Sequence, residues 1–446
     1  MPTLEILHWN DVHARFVGLS RLSARARAIR ATATHPVLLL DGGDVEDTSV
    51  RLSALTFGVA GWRMLGAAGV DAAVAGNGGL LRYGPGVLPR YAAALGSPPL
   101  VCDVEDADGH TPQGAAPSVL LEAGDLRVGV VGITDYYAQY DTFGLRERGR
   151  TTAVRREAEA LRRAGADVVV LLSHAGLNHD RGLSWSLRGK VDLVVGGHTH
   201  HLLTEGDRSQ GLPIAQAGWQ AEHLGRILLE VSADGVEVVD MRVERVEEDT
   251  AEDPGVLEEL AACERDLTAW LAEPVGHLDA AAPHTGEADD PAARLVATAL
   301  LDLAPADLAV LIGGQVTHGF AAGVVTRDHV WSATSSPGNL ATATLTGAQL
   351  QVMFARGLSE EFATARPRTF RGRPYGYLHA AGAEVRDGVL LVGDEPVDPG
   401  RRYRVTATDL ELSPYGTLVD ADPDDLEVRV PAILPELLEG WFAARG

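Results

Sequence analysis

The chain has 446 residues and a formal net charge of −24. That length exceeds what one core usually supports, so two domains are expected. The acidic excess argues against a surface for a nucleic acid polymer, which it would repel nearly everywhere, although a small phosphorylated molecule remains compatible with it.

In chain order, the apolar run Leu4–Trp9 leads into Asn10-Asp11-Val12-His13, and Leu19 to Ala31 reads as a helix. Pro36 to Leu40 is a strand leading into Asp41-Gly42-Gly43-Asp44. Leu52 to Leu65 reads as one helix, with Leu55, Val59, Trp62 and Leu65 on its buried stripe. Val70 to Val74 leads into Ala75-Gly76-Asn77, and Pro85-Gly86 opens a helical piece running through Leu88 to Leu95. Strands are expected at Leu100–Cys102, Ser118–Leu121 and Arg127–Val131, a helix at Thr152–Ala164, and a strand at Val168–Leu172 leading into Ser173-His174. Leu193 to Val195 is a short apolar run ended by two glycines, after which His198-Thr199-His200 follows. Ile214–Gly218, Gly225–Glu230 and Gly235–Val246 read as closing strands. Glu252–Leu271 is a charged amphipathic helix that stops at Glu273-Pro274, a natural boundary.

Beyond that boundary a helix is expected at Pro291–Leu303 and another at Gly347–Leu358. Strands are expected at Leu308–Ile312, Leu340–Leu345, Gly388–Val392 and Tyr403–Ala407, and a last helix at Pro431–Arg445. The organisation is therefore a domain over 1–250, a connecting helix over 251–275 and a second domain over 276–446, with an α/β sandwich in the first. Cys102 and Cys263 read as small apolar residues, with nothing demanding a disulfide. No run is long and apolar enough for a membrane, and the first strand begins by Leu4, so a cytoplasmic protein is the expectation.

Five apolar runs thus end in Asp, Asn or His. Ligands of open α/β sheets gather at the carboxyl ends of the strands, so these side chains are expected to converge. Taken alone, His198-Thr199-His200 is equally a pair of solvent-facing loop histidines; the recurrence of the pattern favours metal. Seven nitrogen and oxygen donors (Asp11, His13, Asp44, Asn77, His174, His198, His200) suit two divalent transition ions sharing a carboxylate. Donor type leaves the metal open among Mn, Zn, Fe and Co.

Asn10-Asp11-x-His13, Gly43-Asp44, Gly76-Asn77, His174 and Gly197-His198-x-His200 together resemble the calcineurin-like metallophosphoesterases. The opening Leu7-His8-x-Asn10-Asp11-x-His13, the run Gln216-Ala217-Gly218 with Leu224-Gly225-Arg226, and Gly323–Thr326 and Leu345-Thr346-Gly347 in the second half are similar to the two-domain 5′-nucleotidase and UDP-sugar hydrolase branch. The resemblance implies a metallophosphoesterase sandwich followed by an α+β substrate domain. It assigns Asp11, His13, Asp44 and His200 to one ion and Asp44, Asn77, His174 and His198 to the other, with Asp44, Asn77 and His198 nearest the chemistry. The implied reaction is attack by a metal-bridging hydroxide on a phosphoester. His8 is taken as a core histidine.

The chain departs from the family at two places. Gly-Asn-His-Glu with an Asp shortly after is usual there; here the run is Gly76-Asn77-Gly78-Gly79, without the imidazole that assists the leaving group. His201, His223 and His318 are the stand-ins to consider, against the plainer reading of surface histidines. In the second domain the Asn-x-Gly-x-x-Arg run is Ile312–Thr317, Pro-Phe is Ser335-Ser336, and the late aromatic run is Pro414–Leu418, where Tyr415 is the one ring. The standard base clamp is thus dismantled. Gln315 and Thr317 within the first of these runs, and Arg366, Arg368, Arg371 and Arg373 in the loop Ala365–Tyr377, are the replacement substrate contacts to test; a solvated loop is the alternative for the arginines.

The expectation is metal-dependent hydrolysis of a small phosphate ester in an altered pocket. A phosphodiesterase or anhydride hydrolase, for which good leaving groups need no acid, is the alternative within the class. A metal-binding protein without turnover is the alternative outside it.

Overall fold

In the computed structural model, which describes every residue except 210, 335, 368–372 and 446, the chain divides between Leu267 and Thr268. The first unit opens with β1 (Thr3–Trp9), α1 (Phe16–Thr32), β2 (Val37–Asp41), α2 (Arg51–Leu55), α3 (Val59–Ala68), β3 (Ala72–Ala73), α4 (Asn77–Tyr83) and α5 (Leu88–Leu95). It continues through β4 (Val104–Glu105), β5 (Ser118–Ala123), β6 (Leu126–Thr134), β7 (Arg146–Glu147), α6 (Arg150–Arg163), β8 (Val168–His174) and α7 (Leu177–Ser186). It closes with β9 (Leu193–Gly196), β10 (Ile214–Ala215), β11 (His223–Ser232), β12 (Gly235–Arg245) and α8 (Pro254–Leu271), a helix that runs past the division.

Two five-stranded sheets, in the orders β12-β11-β1-β2-β3 and β10-β9-β8-β6-β5, carry this unit. Strands alternate their side chains between faces. Leu4, Ile6, Leu38, Leu40, Val168, Val170, Leu172, Leu193 and Val195 accordingly share one core between the sheets. Leu7, Trp9 and Leu39 pack outward with α1, α3 and α5. Val169, Leu171 and Val194 pack outward on the other side with α6 and α7. β1, β2 and β3 are parallel, as are β6, β8, β9 and β10, so the loops at their carboxyl ends carry the candidate ligands.

Two expectations are corrected here, and two helices lie where none was expected. The helix expected over Leu52–Leu65 is two, because Phe57 (φ 56°) and Gly58 (φ 78°) take left-handed backbone between them. Leu100–Cys102 is no strand: Leu100 makes single bridges to Val74 and Ala116. α4 was hidden by Gly78 and Gly79, which disfavour helix. α7 lacks an apolar period to announce it.

The second unit contains β13 (Pro274–Leu278), α9 (Pro291–Leu303), β14 (Leu308–Ile312), β15 (Gly323–Thr326), α10 (Arg327–Ala333), β16 (Asn339–Thr346), α11 (Gly347–Gly357) and α12 (Glu360–Thr364). It ends with β17 (Leu378–Ala381), β18 (Ala383–Arg386), β19 (Val389–Val392), β20 (Glu395–Pro396), β21 (Arg402–Thr408), α13 (Asp409–Leu412), β22 (Glu427–Ile433) and α14 (Leu434–Ala443). Its mixed sheet, β17-β14-β21-β16-β22, is covered by α9, α10 and α14 on one face and by α11 and α12 on the other. The last helix begins at Leu434, with Pro435 in its first turn; the Pro431 expected to open it lies in β22. Cys102 and Cys263 are free and buried. Among the described residues no helix is long and apolar enough to cross a membrane.

Candidate metal centre

The loops after β1 and β2 run side by side, zipped by Asp11 N–H to the Gly43 carbonyl (2.9 Å) and His13 N–H to the Asp44 carbonyl (3.1 Å). This pairing holds residues in backbone that side chains normally avoid. Asp11 (φ 51°), His13 (46°), Asp44 (53°), His198 (72°) and His200 (57°) are all left-handed. Each such non-glycine residue costs on the order of 1–3 kcal/mol, and such strain gathers at functional sites.

Two groups of donors result. In the first, His13 Nε2 and His200 Nε2 are 3.0 Å apart, and Asp11 Oδ1 lies 3.7 Å from the former and 3.3 Å from the latter. In the second, His174 Nε2 is 3.3 Å from Asp44 Oδ2, and His198 completes the triad. Donors about 2.1 Å from a common ion sit roughly 3.0–3.5 Å from one another, so the spacings suit ligation. Asp11 Oδ1, Asn77 Oδ1 and His174 Nε2 are buried and lack a hydrogen-bond partner. Buried acceptors without partners are rare and costly, so these atoms fit divalent cations better than they fit one another.

The surrounding groups aim these donors. The Asn10 amide donates to Asp11 Oδ2 (2.7 Å) and to the Gly218 carbonyl (2.6 Å), while Asn10 Oδ1 accepts from Ala217 N–H (2.9 Å). With Oδ2 also taking His198 N–H (2.8 Å), Asp11 is left with Oδ1 to offer. His174 Nδ1 meets the Gly42 carbonyl at 2.6 Å, which fixes the proton there and turns the Nε2 lone pair to the site. Gly78 N–H donates to Asp44 Oδ1 (2.9 Å). The close approach explains Gly76, where a Cβ would stand 2.1 Å from Asp44 Oδ1.

Electrostatics follow the same division. Burial opposes the charged forms of Asp44 and His174, but their mutual attraction outweighs it, holding Asp44 below the usual carboxylate range and raising His174 to about 10, so a cation bound there would displace the Nε2 proton to reach the lone pair. Burial, and then the charge of His174, lowers His198, favouring the neutral imidazole that binds metals. His8 is a buried core ring against Gly225, its pKa lowered to about 4 by burial.

Several residues near the centre were not anticipated. Asp135, at the end of β6, places Oδ2 3.4 Å from His198 Nε2. Arg150 reaches Asp135 Oδ1 (3.8 Å) and is bonded to the buried Asp103 (2.9 Å). Trp219 stacks on His200, with centroids 4.7 Å apart and rings inclined by 16°.

The expected substrate contacts fare differently. Gln315 is corrected: its side chain is buried away from the cavity, its amide donates to Thr408 Oγ1 (3.2 Å) and Glu411, and its carbonyl accepts from Ser336 (2.5 Å), so both ends are engaged within the fold. The Thr317 hydroxyl donates to the Ser332 carbonyl (2.8 Å); Thr317 and Arg373 line a cavity of about 250 Å³ within the second unit. Arg366 lies in the loop after α12, whereas Arg368 and Arg371 fall outside the described residues. His201 and His318 are engaged by Thr199 Oγ1 (2.9 Å) and the Ser332 carbonyl (2.8 Å), and His223 sits beside Gly218.

Residues 4–202 match the calcineurin-like phosphoesterase family, and residues 274–417 match the 5′-nucleotidase C-terminal domain. The metallophosphoesterase YunD of Bacillus subtilis (strain 168) is 26% identical over 99% of both chains. A 5′-nucleotidase of Diplobatis ommata is 27% identical over 51% of this chain, a match spanning 45% of that protein's length. The 5′-nucleotidase precursor of Thermus thermophilus shares the fold, with a TM-score of 0.55 at 18% identity over 99% of this chain and 96% of that one. A putative 5′-nucleotidase of Staphylococcus aureus does likewise, at 0.56 and 17% over 98% and 96%.

Proposed function

The chain belongs to the family that joins a calcineurin-like phosphoesterase domain to a 5′-nucleotidase C-terminal domain, and from that premise we propose that it hydrolyses a small phosphate ester with the help of two divalent cations. The observation that carries this reading is the pair of donor triads, Asp11/His13/His200 and Asp44/His174/His198, with buried acceptors that no protein group satisfies. Asp11, His13 and His200 would hold one ion, and Asn77, His174 and His198 the other, with Asp44 shared. When bound, Mn, Zn, Fe or Co ions make water acidic enough to attack near neutral pH and polarise phosphoryl oxygens.

The remaining work falls to the chain's own groups. Asn10 and the His198 N–H occupy Asp11 Oδ2, so that carboxylate presents one oxygen in one direction. Gly42 sets the tautomer of His174, and Gly78 N–H holds Oδ1 of Asp44. A small phosphorylated compound is the expected partner. The loss of the family's base-clamp residues argues against an ordinary nucleotide.

Metal analysis, followed by assays of p-nitrophenyl phosphate and bis-p-nitrophenyl phosphate with Mn²⁺, tests the proposal. Two ions per chain and monoester turnover are expected. Faster turnover of the diester supports the second reading, a phosphodiesterase or anhydride hydrolase, which the missing imidazole at Gly78 favours. Bound metal with neither ester cleaved would leave a binding protein, and no bound metal would sink all three.

A further inference from the structure

Resting on that reading, we propose that Trp219 is a positioning residue for one of the two cations, the ion of Asp11, His13 and His200, and that the turn carrying it supports that ion and not its neighbour. The indole lies flat on the His200 ring, with centroids 4.7 Å apart and 16° between the planes. It stands edge-on to the His13 ring, at 6.3 Å and 83°. It thus meets two of the three donors of one triad while itself exposed.

The two triads are braced differently. In the other one, His174 Nδ1 is fixed by the Gly42 carbonyl at 2.6 Å, and His198 Nε2 faces Asp135 Oδ2 at 3.4 Å. His200 directs Nε2 to the centre, where it lies 3.0 Å from His13 Nε2 and 3.3 Å from Asp11 Oδ1. Its Nδ1 has no protein hydrogen-bond partner among the described residues. A metal-bound imidazole is ordinarily oriented by a hydrogen bond to its second nitrogen. Here the indole face takes over that task.

The turn is tied to the same triad. Asn10 accepts Ala217 N–H (2.9 Å) and donates to the Gly218 carbonyl (2.6 Å), and Gln220 N–H donates to the Asp11 carbonyl (2.8 Å). Gln220 (φ 57°) and Ala221 (58°) are left-handed, and Glu222 N–H closes back on the Trp219 carbonyl (3.3 Å). Among the described residues, no hydrogen bond of residues 217–220 reaches Asp44, Asn77, His174 or His198.

A brace raises affinity only if it favours the loaded form over the empty one. An imidazole that ligates a cation takes on part of its positive charge, and the electron-rich face of an indole attracts such a ring more strongly than a neutral one. The stack also restrains the ring before the ion arrives, so less side-chain freedom is lost on binding. Both effects act on one ion of the pair.

The test titrates Co²⁺ into the metal-stripped full chain, following bound metal and tryptophan emission together. Wild type is compared with Trp219→Ala, Trp219→Phe, His200→Ala and His174→Ala. Wild type should take up two ions, with emission falling in the step that His200→Ala abolishes. Trp219→Ala should weaken that step about three- to tenfold, leave the other nearly unchanged and keep the circular dichroism spectrum. Trp219→Phe, which keeps a ring face, should recover most of the affinity and lose the fall in emission. Equal weakening of both steps, no weakening, a Phe variant as weak as the Ala one, or emission that follows the step abolished by His174→Ala overturns the assignment while leaving the two-cation reading intact. A wild type that binds no second ion removes both.

Discussion

Two clusters of buried polar groups, one in each unit, are built on opposite principles. Around Asp11 and Asp44, acceptors are left without partners and five side chains are held in left-handed backbone. Around Glu411 every group is used: Oε1 accepts from Ile312 N–H (2.7 Å) and the Gln315 amide, and Oε2 from Thr408 N–H (3.0 Å) and Thr408 Oγ1 (2.5 Å). A site that must receive something tolerates strain and unmet hydrogen bonds; one that holds a fold together does not. Ile312 and Gln315, within the run the resemblance marks for substrate contacts, belong to the second kind, whereas Thr317 lines the cavity of that unit.

The contrast can be broken by exchanging the expected effects. Asp44→Asn should change chemistry and spare the fold. Activity should fall by several kcal/mol of barrier, on the order of a thousandfold or more, with fewer ions per chain by metal analysis and an unchanged circular dichroism spectrum. Asn10→Ala touches no ion directly and acts by freeing Asp11, so metal affinity measured by titration should weaken about 10–100-fold.

Glu411→Gln should do the reverse, leaving KM and kcat alone while lowering the urea midpoint of the C-terminal unit. Whichever way it turns, the amide nitrogen must then face a backbone N–H, that of Ile312 or of Thr408, a cost of about 1–3 kcal/mol. Its pH dependence sharpens the comparison. Burial raises the Glu411 carboxyl from 4.5 to about 7. The wild-type contribution is therefore full below pH 4.5 and is lost as the pH climbs through about 7. The variant, with nothing to ionise there, should lose that slope. An activity defect in Glu411→Gln, or a folding defect alone in Asp44→Asn, would erase the distinction between the two clusters.

Much of the first unit could be read in advance because buried strands are short apolar runs and their carboxyl ends carry the ligands. The same rule would have found Asp135. The strand expected to stop at Val131 continues through Ile133 to Thr134, and Asp135 follows it as Asp44 and His198 follow theirs. Gly132, where a Cβ would strike Leu100, concealed the continuation. Gln315 misled for another reason: a polar residue in a motif position says nothing of its partners until Thr408, Glu411 and Ser336, far away in sequence, are brought beside it. Asn10 carried no role of its own in the sequence for the same cause, since its partner Gly218 is distant along the chain. Position along the chain revealed which side chains reach the edge; it could not reveal which are already taken.

The left-handed turns at Asp11, His13, Asp44, His198 and His200 also bear on how such a centre persists through descent. Glycine would sit at any of these five places more comfortably than the residue found there, so drift toward a sturdier chain always has an easy route. A lineage indifferent to the cations would be drawn along that route one position at a time. In this chain all five positions keep a donor, as the proposed two-cation reading requires.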